Sequence, residues 1–160
     1  GFSLGFFDEV YLKRFSHALV MRNGVIVAFA NILGAQGKVE LAPDLMRYGE
    51  GAPKGSMEYL FIQMMLWGSR EGYEWLSLGM APLSGLETGP VASLWSRVGA
   101  AVFRHGEHFY NFQGLRAYKE KFEPVWEPRY LAAPAGAALP FILTNLSSLI
   151  SGSLVGTLKK

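Results

Sequence analysis

Apolar and polar positions alternate in short runs at the front of the chain. Residues 16–22 are apolar-rich, Asn23-Gly24 follows, and residues 25–33 are apolar again. A two-residue hairpin turn needs positive φ at both central positions, which Asn and Gly adopt at low cost, so this spacing predicts a β-hairpin. Residues 34–37 predict a second turn and residues 38–42 a third strand, so residues 16–43 read as an antiparallel meander. Residues 43–56, rich in Gly and Pro, predict a loop. Met57, Leu60, Phe61, Met64, Met65 and Trp67 then recur at the spacing of an amphipathic helix over 57–70. Ser56 is its expected N-cap, Glu58 sits well against the dipole in the first turn, and Gly72 ends it. A strand is expected over 74–79, a loop over 80–90 and a helix over 91–103. A helix over 114–122, a strand over 126–132 and a last helix over 139–150 follow. Strands that alternate with helices after a hairpin argue an α/β domain with a mixed central sheet flanked by helices.

Composition narrows the chemistry. Half of the 160 residues are hydrophobic and 18% are charged, which is the balance of a folded domain. The net charge of +2 is too small to argue nucleic-acid binding from totals. With no cysteine, disulfides, zinc–thiolate sites and a cysteine nucleophile are excluded. The first residues lack the basic head and apolar core of a signal peptide, and the chain starts with Gly1, so it reads as a piece of something larger. No stretch reaches the ~18–20 continuous apolar residues of a spanning helix. The charge-free segment 131–158 is interrupted by Pro134, Gly136, Pro140, Asn145 and Gly152. It reads as a helix packed on the sheet or, alternatively, lying at a bilayer interface.

Several strings are distinctive in combination. They are Val27-Ala28-Phe29-Ala30-Asn31, Asp44-Leu45-Met46-Arg47, the run from Leu78 to Leu86, and the long run from His105 through Arg116 to Phe122. Trp126-Glu127-Pro128-Arg129-Tyr130 closes the set. Together, over roughly residues 5–133, they resemble the C-terminal catalytic region of bacterial phosphatidylglycerol lysyltransferases, the multiple peptide resistance factor family. The resemblance implies a GNAT-like acyltransferase fold, as the second of two tandem domains that follow a membrane-embedded region. It implies transfer of an amino acid, lysine first, from aminoacyl-tRNA to phosphatidylglycerol at the cytoplasmic face of the bacterial inner membrane, by a fragment that is itself soluble. It implies no cofactor. The runners-up are a coenzyme A-dependent N-acetyltransferase of the same fold and a non-catalytic module that binds lipid or tRNA. Against coenzyme A, residues 47–56 hold three glycines at the wrong spacing for a pyrophosphate loop, Pro53 removes a donor, and Glu50 opposes an anion.

Such a transfer needs groups to hold an anionic phosphate, groups to hold an α-amine, and a route for a hydroxyl proton. Glu107 offers a carboxylate for the amine or a base, and His108 can move a proton near neutral pH. Tyr110 and Asn111 stand beside them as substrate-binding candidates. The competing reading makes these histidines surface loop residues and pairs Glu107 with an Arg. Two histidines without a third ligand make no zinc site, so no metal is expected. Lys119 joins the catalytic candidates, while Arg116, Lys121 and Arg129 form a basic cluster for lipid phosphate or the tRNA end. The competing reading there is a solvated helix face partnered by Glu120 and Glu123. Asp44 and Arg47, expected just after the third strand, would meet the acyl donor, with Asp44 facing a cationic lysyl side chain. Ser84 has no nucleophile elbow around it and reads as a loop residue.

Overall fold

The computed structural model describes residues 7–84 and 112–130, together with Phe141, Ile142 and Asn145. The Cα packing separates residues 6–79 from a second unit that contains the residues from Met80 onward, and each is taken by itself.

In the first unit, strands β1 (Ser16–Arg22), β2 (Val25–Gly34) and β3 (Glu40–Tyr48) form the antiparallel meander, and β4 (Trp75–Leu76) adds to β3 in parallel. The hairpin turn is where Asn-Gly puts it: Asn23 and Gly24 both take positive φ, at 50° and 78°. Helix α2 (Ser56–Glu71) follows β3, and its apolar stripe lands on the sheet. Ala30, Leu60 and Met64 make the buried centre, with Ala18, Val20, Ile32, Met46, Met57 and Leu76 packed against them. Each large apolar side chain in that layer contributes about 1.5–3 kcal/mol through burial. Helix and sheet approach closely at Gly68, where an added Cβ would stand 3.0 Å from Leu41 Cδ2. Gly72 ends the helix in the left-handed region, and Tyr73 N–H closes the turn on the Gly68 carbonyl at 2.9 Å. A short helix α1 (Glu9–Leu12), unforeseen from the sequence, begins where the Asp8 carboxylate accepts from Tyr11 N–H and ends on the buried Leu12.

Three expectations need correction here. The third strand does not stop at residue 42: it runs through Pro43 to Tyr48. It does so by a bulge, since Ala30 pairs with Met46 but Ile32 pairs with Pro43, so Asp44 and Leu45 together oppose Asn31. The strand expected over 74–79 is only two residues long, although Ser77 N–H still reaches the Leu41 carbonyl. The next donor in that parallel register is Pro43, which has no N–H. Ser56 is not the N-cap of α2: Gly55 is, in the left-handed region, and Ser56 is buried with its hydroxyl donating to the Pro53 carbonyl.

In the second unit, helix α3 (Phe112–Glu120) starts two residues before its expected position. The strand expected from residue 126 is absent over 126–130, where the chain is irregular and exposed. Pro124 and Pro128 flank Trp126 and deprive a ladder of donors. Phe141, Ile142 and Asn145 are helical, in keeping with the helix read over 139–150; the rest of that segment and the helix at 91–103 lie outside the described residues.

Candidate functional site

The candidate site residues that the structure describes fall in two places. The first is the β2–β3 bulge. Asn31 is fully buried, and its side chain serves both residues of the bulge. Its Oδ1 accepts from Leu45 N–H at 2.7 Å, and its Nδ2 donates to Asp44 Oδ2 at 3.2 Å. Tyr11, brought in by α1, donates its hydroxyl to the same Asp44 Oδ2 at 2.8 Å. Two donors on one oxygen fix the orientation of a carboxylate that remains exposed. The bond to Asp44 raises the Tyr11 pKa above its ordinary value, with burial and the nearby charge adding to it. Asp44 and Arg47 therefore sit within β3 and not in the loop after it. Arg47 is exposed, and its Nη1 donates to the Met46 carbonyl at 2.7 Å. Tyr11 and Asn31 were missed as neighbours of Asp44. Asn31 had a signal, because a polar residue inside an apolar strand asks for a partner.

The loop from β3 to α2 holds Gly49, Gly51 and Gly55, whose spacing does not fit a pyrophosphate loop. Its Ala52 and Ser56 N–H groups donate to the Gly49 and Pro53 carbonyls. Backbone donors engaged inside the loop are not presented to a ligand.

The second place is α3 and the segment after it. Lys119 is the buried cation among the described residues, 7% exposed. Its Nζ donates to the Met80 carbonyl at 2.6 Å. Burial lowers its pKa from the ordinary lysine value to about 8, because a desolvated ammonium is disfavoured. This bond joins two strings that are 39 residues apart in sequence. Arg116 lies with its guanidinium 4.4 Å from the Trp126 ring and donates from Nε to Glu120 at 2.8 Å. The Glu120 pairing is the ordinary helix-face arrangement that the sequence also allowed. Lys121 stacks on Tyr118 at 5.0 Å, and Arg129 pairs with Glu127 at 2.9 Å. The basic cluster is thus divided among separate partners. Ser84 donates its hydroxyl to the Ala81 carbonyl at 2.7 Å and holds a turn, as a loop residue would.

Glu107, His108, Tyr110 and Asn111 lie outside the described residues. Among the described residues, no group of three or more His, Cys, Asp or Glu could hold a metal ion. Nor is any helix among them long and apolar enough to cross a membrane.

Comparison with known proteins bears on all of this. The family model described as phosphatidylglycerol lysyltransferase, C-terminal, matches residues 1–133. A phosphatidylglycerol lysyltransferase of Bacillus subtilis is 44% identical over 156 residues, which is 96% of this chain and 18% of that protein. One from Staphylococcus xylosus is 36% identical over 81% of the chain and 16% of its own length. The chain thus spans less than a fifth of these relatives. Among solved structures, the C-terminal domain of a lysylphosphatidylglycerol synthetase from Agrobacterium fabrum is 44% identical at a TM-score of 0.74, over 93% of this chain and 44% of its own. L-PGS from Bacillus licheniformis is 41% identical at a TM-score of 0.73, over 96% of this chain and 47% of its own. These similarities bear out the α/β, GNAT-like reading of the mixed sheet. The chain belongs to the phosphatidylglycerol lysyltransferase C-terminal family.

Proposed function

We propose that this chain is the catalytic C-terminal part of an aminoacyltransferase that moves an amino acid, lysine first, from aminoacyl-tRNA to phosphatidylglycerol. In this reading it is the second of two tandem GNAT-like domains, and it works beside a membrane-embedded region at the cytoplasmic face of the membrane. Membership of the family and the names of the relatives support the reaction class. The observation that carries the site is the buried Lys119 amine on the Met80 carbonyl.

The chemistry is an ester exchange. A glycerol hydroxyl oxygen of the lipid forms a bond to the ester carbonyl carbon, and the bond from that carbon to the ribose oxygen of the tRNA breaks. One proton leaves the glycerol hydroxyl and one reaches the ribose oxygen, so the two hydroxyls change places without an external reactant. An amine with a pKa of about 8 exists in both forms near neutral pH, which suits it to take and return that proton. Asp44, oriented by Tyr11 and Asn31, offers its charge to the cationic amino acid. Arg47, Arg116, Lys121 and Arg129 are assigned to phosphate contacts, and Glu107, His108, Tyr110 and Asn111 to the amine and the proton path.

The test is lipid labelling by the complete protein, supplied with lysyl-tRNA and phosphatidylglycerol vesicles. Lys119→Met is expected to lower turnover about 100-fold, the lower range for loss of a proton-transfer group. Asp44→Asn is expected to raise KM for lysyl-tRNA more than it lowers kcat. Unaltered labelling by both variants removes the reading.

A further inference from the structure

The Lys119 amine is held, among the described residues, by the Met80 carbonyl, so what fixes that carbonyl fixes the amine. A turn follows Met80 directly. Ser84 N–H donates to the Ala81 carbonyl at 3.3 Å and closes it. Pro82 takes the first central position, where its ring presets φ. Leu83 takes the second, at φ 61°. Proline followed by a positive φ is the arrangement of a type II turn. Gly or Asn ordinarily fills that second position, and the left-handed region is disfavoured for a side chain as bulky as leucine. Ser84 holds the turn a second time: its hydroxyl donates to the same Ala81 carbonyl at 2.7 Å.

The clamp bears on Met80 through the backbone. The Met80 carbonyl and the Ala81 nitrogen share one planar peptide unit. Beyond that unit, the proline presses Ala81 toward extended backbone, and the Ala81 carbonyl takes both donors of Ser84. The peptide that carries the Met80 oxygen is therefore strapped on the side that leads into the turn. A glycine at position 83 would make the same turn without strain. A strained turn bonded to a buried amine is the kind that positions a working group. From Met80 to Ser84 the turn holds no ionisable side chain. On α3, Arg116 and Glu120 pair with each other, and Lys121 lies over Tyr118. Burial disfavours the charged amine and an accepting carbonyl favours it, so the placing of the Met80 oxygen sets the balance.

We propose that Ser84 is a positioning residue for Lys119: with the Pro82–Leu83 turn, it fixes the Met80 carbonyl on which the amine is held. Its consequence for catalysis rests on the proton-transfer reading of Lys119, but the state of the amine can be measured without any transfer. The competing account is a turn that serves only the local fold, in which case the amine does not respond to the Ser84 hydroxyl.

The experiment uses the complete protein and two readouts over a series of pH values. Competitive labelling with trace acetic anhydride, read by mass spectrometry on the peptide that holds Lys119, gives the titration midpoint of this one amine. Lipid labelling from lysyl-tRNA gives the pH dependence of kcat. Ser84→Ala is expected to lower the amine midpoint by about one pH unit, because the charged form loses its fixed acceptor while burial remains. The acid limb of kcat should move down by the same amount, with KM for lysyl-tRNA unchanged within about twofold. Ser84→Thr keeps the hydroxyl and should restore both readouts. An unchanged thermal melt establishes that each variant is folded. An unmoved midpoint in the folded Ser84→Ala variant overturns the inference. So does an upward shift, which would mean that the turn works by excluding water and not by holding an acceptor. Ser84→Thr that behaves as Ser84→Ala does the same. A midpoint that falls while the kcat profile stays fixed would leave this inference standing and sink Lys119 as the proton-transfer group. An unmoved midpoint, with Lys119→Met still inactive, would do the reverse.

Discussion

The β2–β3 bulge and helix α3 each bury a side chain that water would otherwise hold, and they do so on different terms. Asn31 accepts from Leu45 N–H at its Oδ1 and donates from its Nδ2 to Asp44, and so restores what the bulge takes out of the ladder. An amide has no charge to lose, so matched hydrogen bonds offset its burial. Lys119 is buried with a backbone carbonyl as partner, and its ammonium answers burial by a lowered pKa. The bulge is therefore a polar device that holds shape and presents Asp44. The α3 amine is one that can exchange a proton. Asn31, neutral and matched at both ends, fits a scaffold role, and Lys119, held among the described residues by the Met80 carbonyl, is the group proposed for proton transfer.

The sharpest way to break that contrast is at Asn31. Asn31→Leu leaves Leu45 N–H buried without its acceptor and is expected to cost about 2–4 kcal/mol of unfolding free energy. Urea denaturation reads this directly. Asn31→Asp keeps the acceptor for Leu45 but sets a second carboxylate beside Asp44, so its destabilisation should shrink as pH falls and one of the two is protonated. A loss under about 0.5 kcal/mol for Asn31→Leu would mean that the bulge does not need its amide.

Lys119 should respond to pH instead. Its folded pKa of about 8 lies below the ordinary lysine value of 10.5. Below pH 8 both folded and unfolded chains carry the proton, and the burial penalty is fully present. Between pH 8 and 10.5 the unfolded chain holds a proton that the folded chain has released, so stability rises with pH. Above 10.5 the penalty is gone. Relative to Lys119→Met, the wild type should gain at most about 1.4 kcal/mol per pH unit across that window, measured by urea unfolding at a series of pH values. Parallel curves for the two proteins would put the lysine in the ordinary solvated class.

The same contrast explains what could be read from the sequence. The Asn23-Gly24 turn, the stripe from Met57 to Met64 and the stop at Gly72 each depend on a few neighbouring residues, and the structure has all three. The bulge depends on Asn31 reaching residues 13 and 14 positions away, and Pro43 taken alone signals a strand end. The Lys119–Met80 bond closes a separation of 39 residues, and nothing local marks either partner. Asp44, Arg47, Arg116 and Lys119 were identifiable as candidates because their motifs resemble a family. Their partners were not, because partners are set by register and packing. The proposed roles of Glu107 and His108 concern residues outside those described.

Smaller effects are expected at the exposed accessory of the bulge. Tyr11→Phe removes the hydroxyl from Asp44 and should cost within about 1 kcal/mol, since water can replace the bond. The raised folded pKa of Tyr11 gives the sign. Its contribution is present below the ordinary tyrosine pKa of 10.0 and is lost as pH climbs through the higher folded value. Denaturation at pH 8 and pH 11 should therefore show the gap between wild type and Tyr11→Phe closing at the higher pH. A constant gap would mean that the hydroxyl acts through packing and not through Asp44.

The smallest effect is expected at Arg116, the half-buried accessory of α3. Two contacts compete to explain it: the Glu120 carboxylate at 2.8 Å and the Trp126 ring at 4.4 Å. The ion pair is half-exposed and spaced i, i+4, a class worth about 0.3–0.5 kcal/mol and weakened by salt. The stacking contact is worth about 0.5–1 kcal/mol at an exposed site and depends on the flat guanidinium. Arg116→Lys keeps the charge and loses the plane. In a double-mutant cycle with Trp126→Leu, it should show a coupling of about 0.5 kcal/mol that survives 1 M salt. A coupling that vanishes in salt would assign Arg116 to Glu120 and leave the segment after α3 without its anchor. That outcome would also remove the reason for Trp126 to stay out of a strand, and would leave Pro124 and Pro128 to account for it alone.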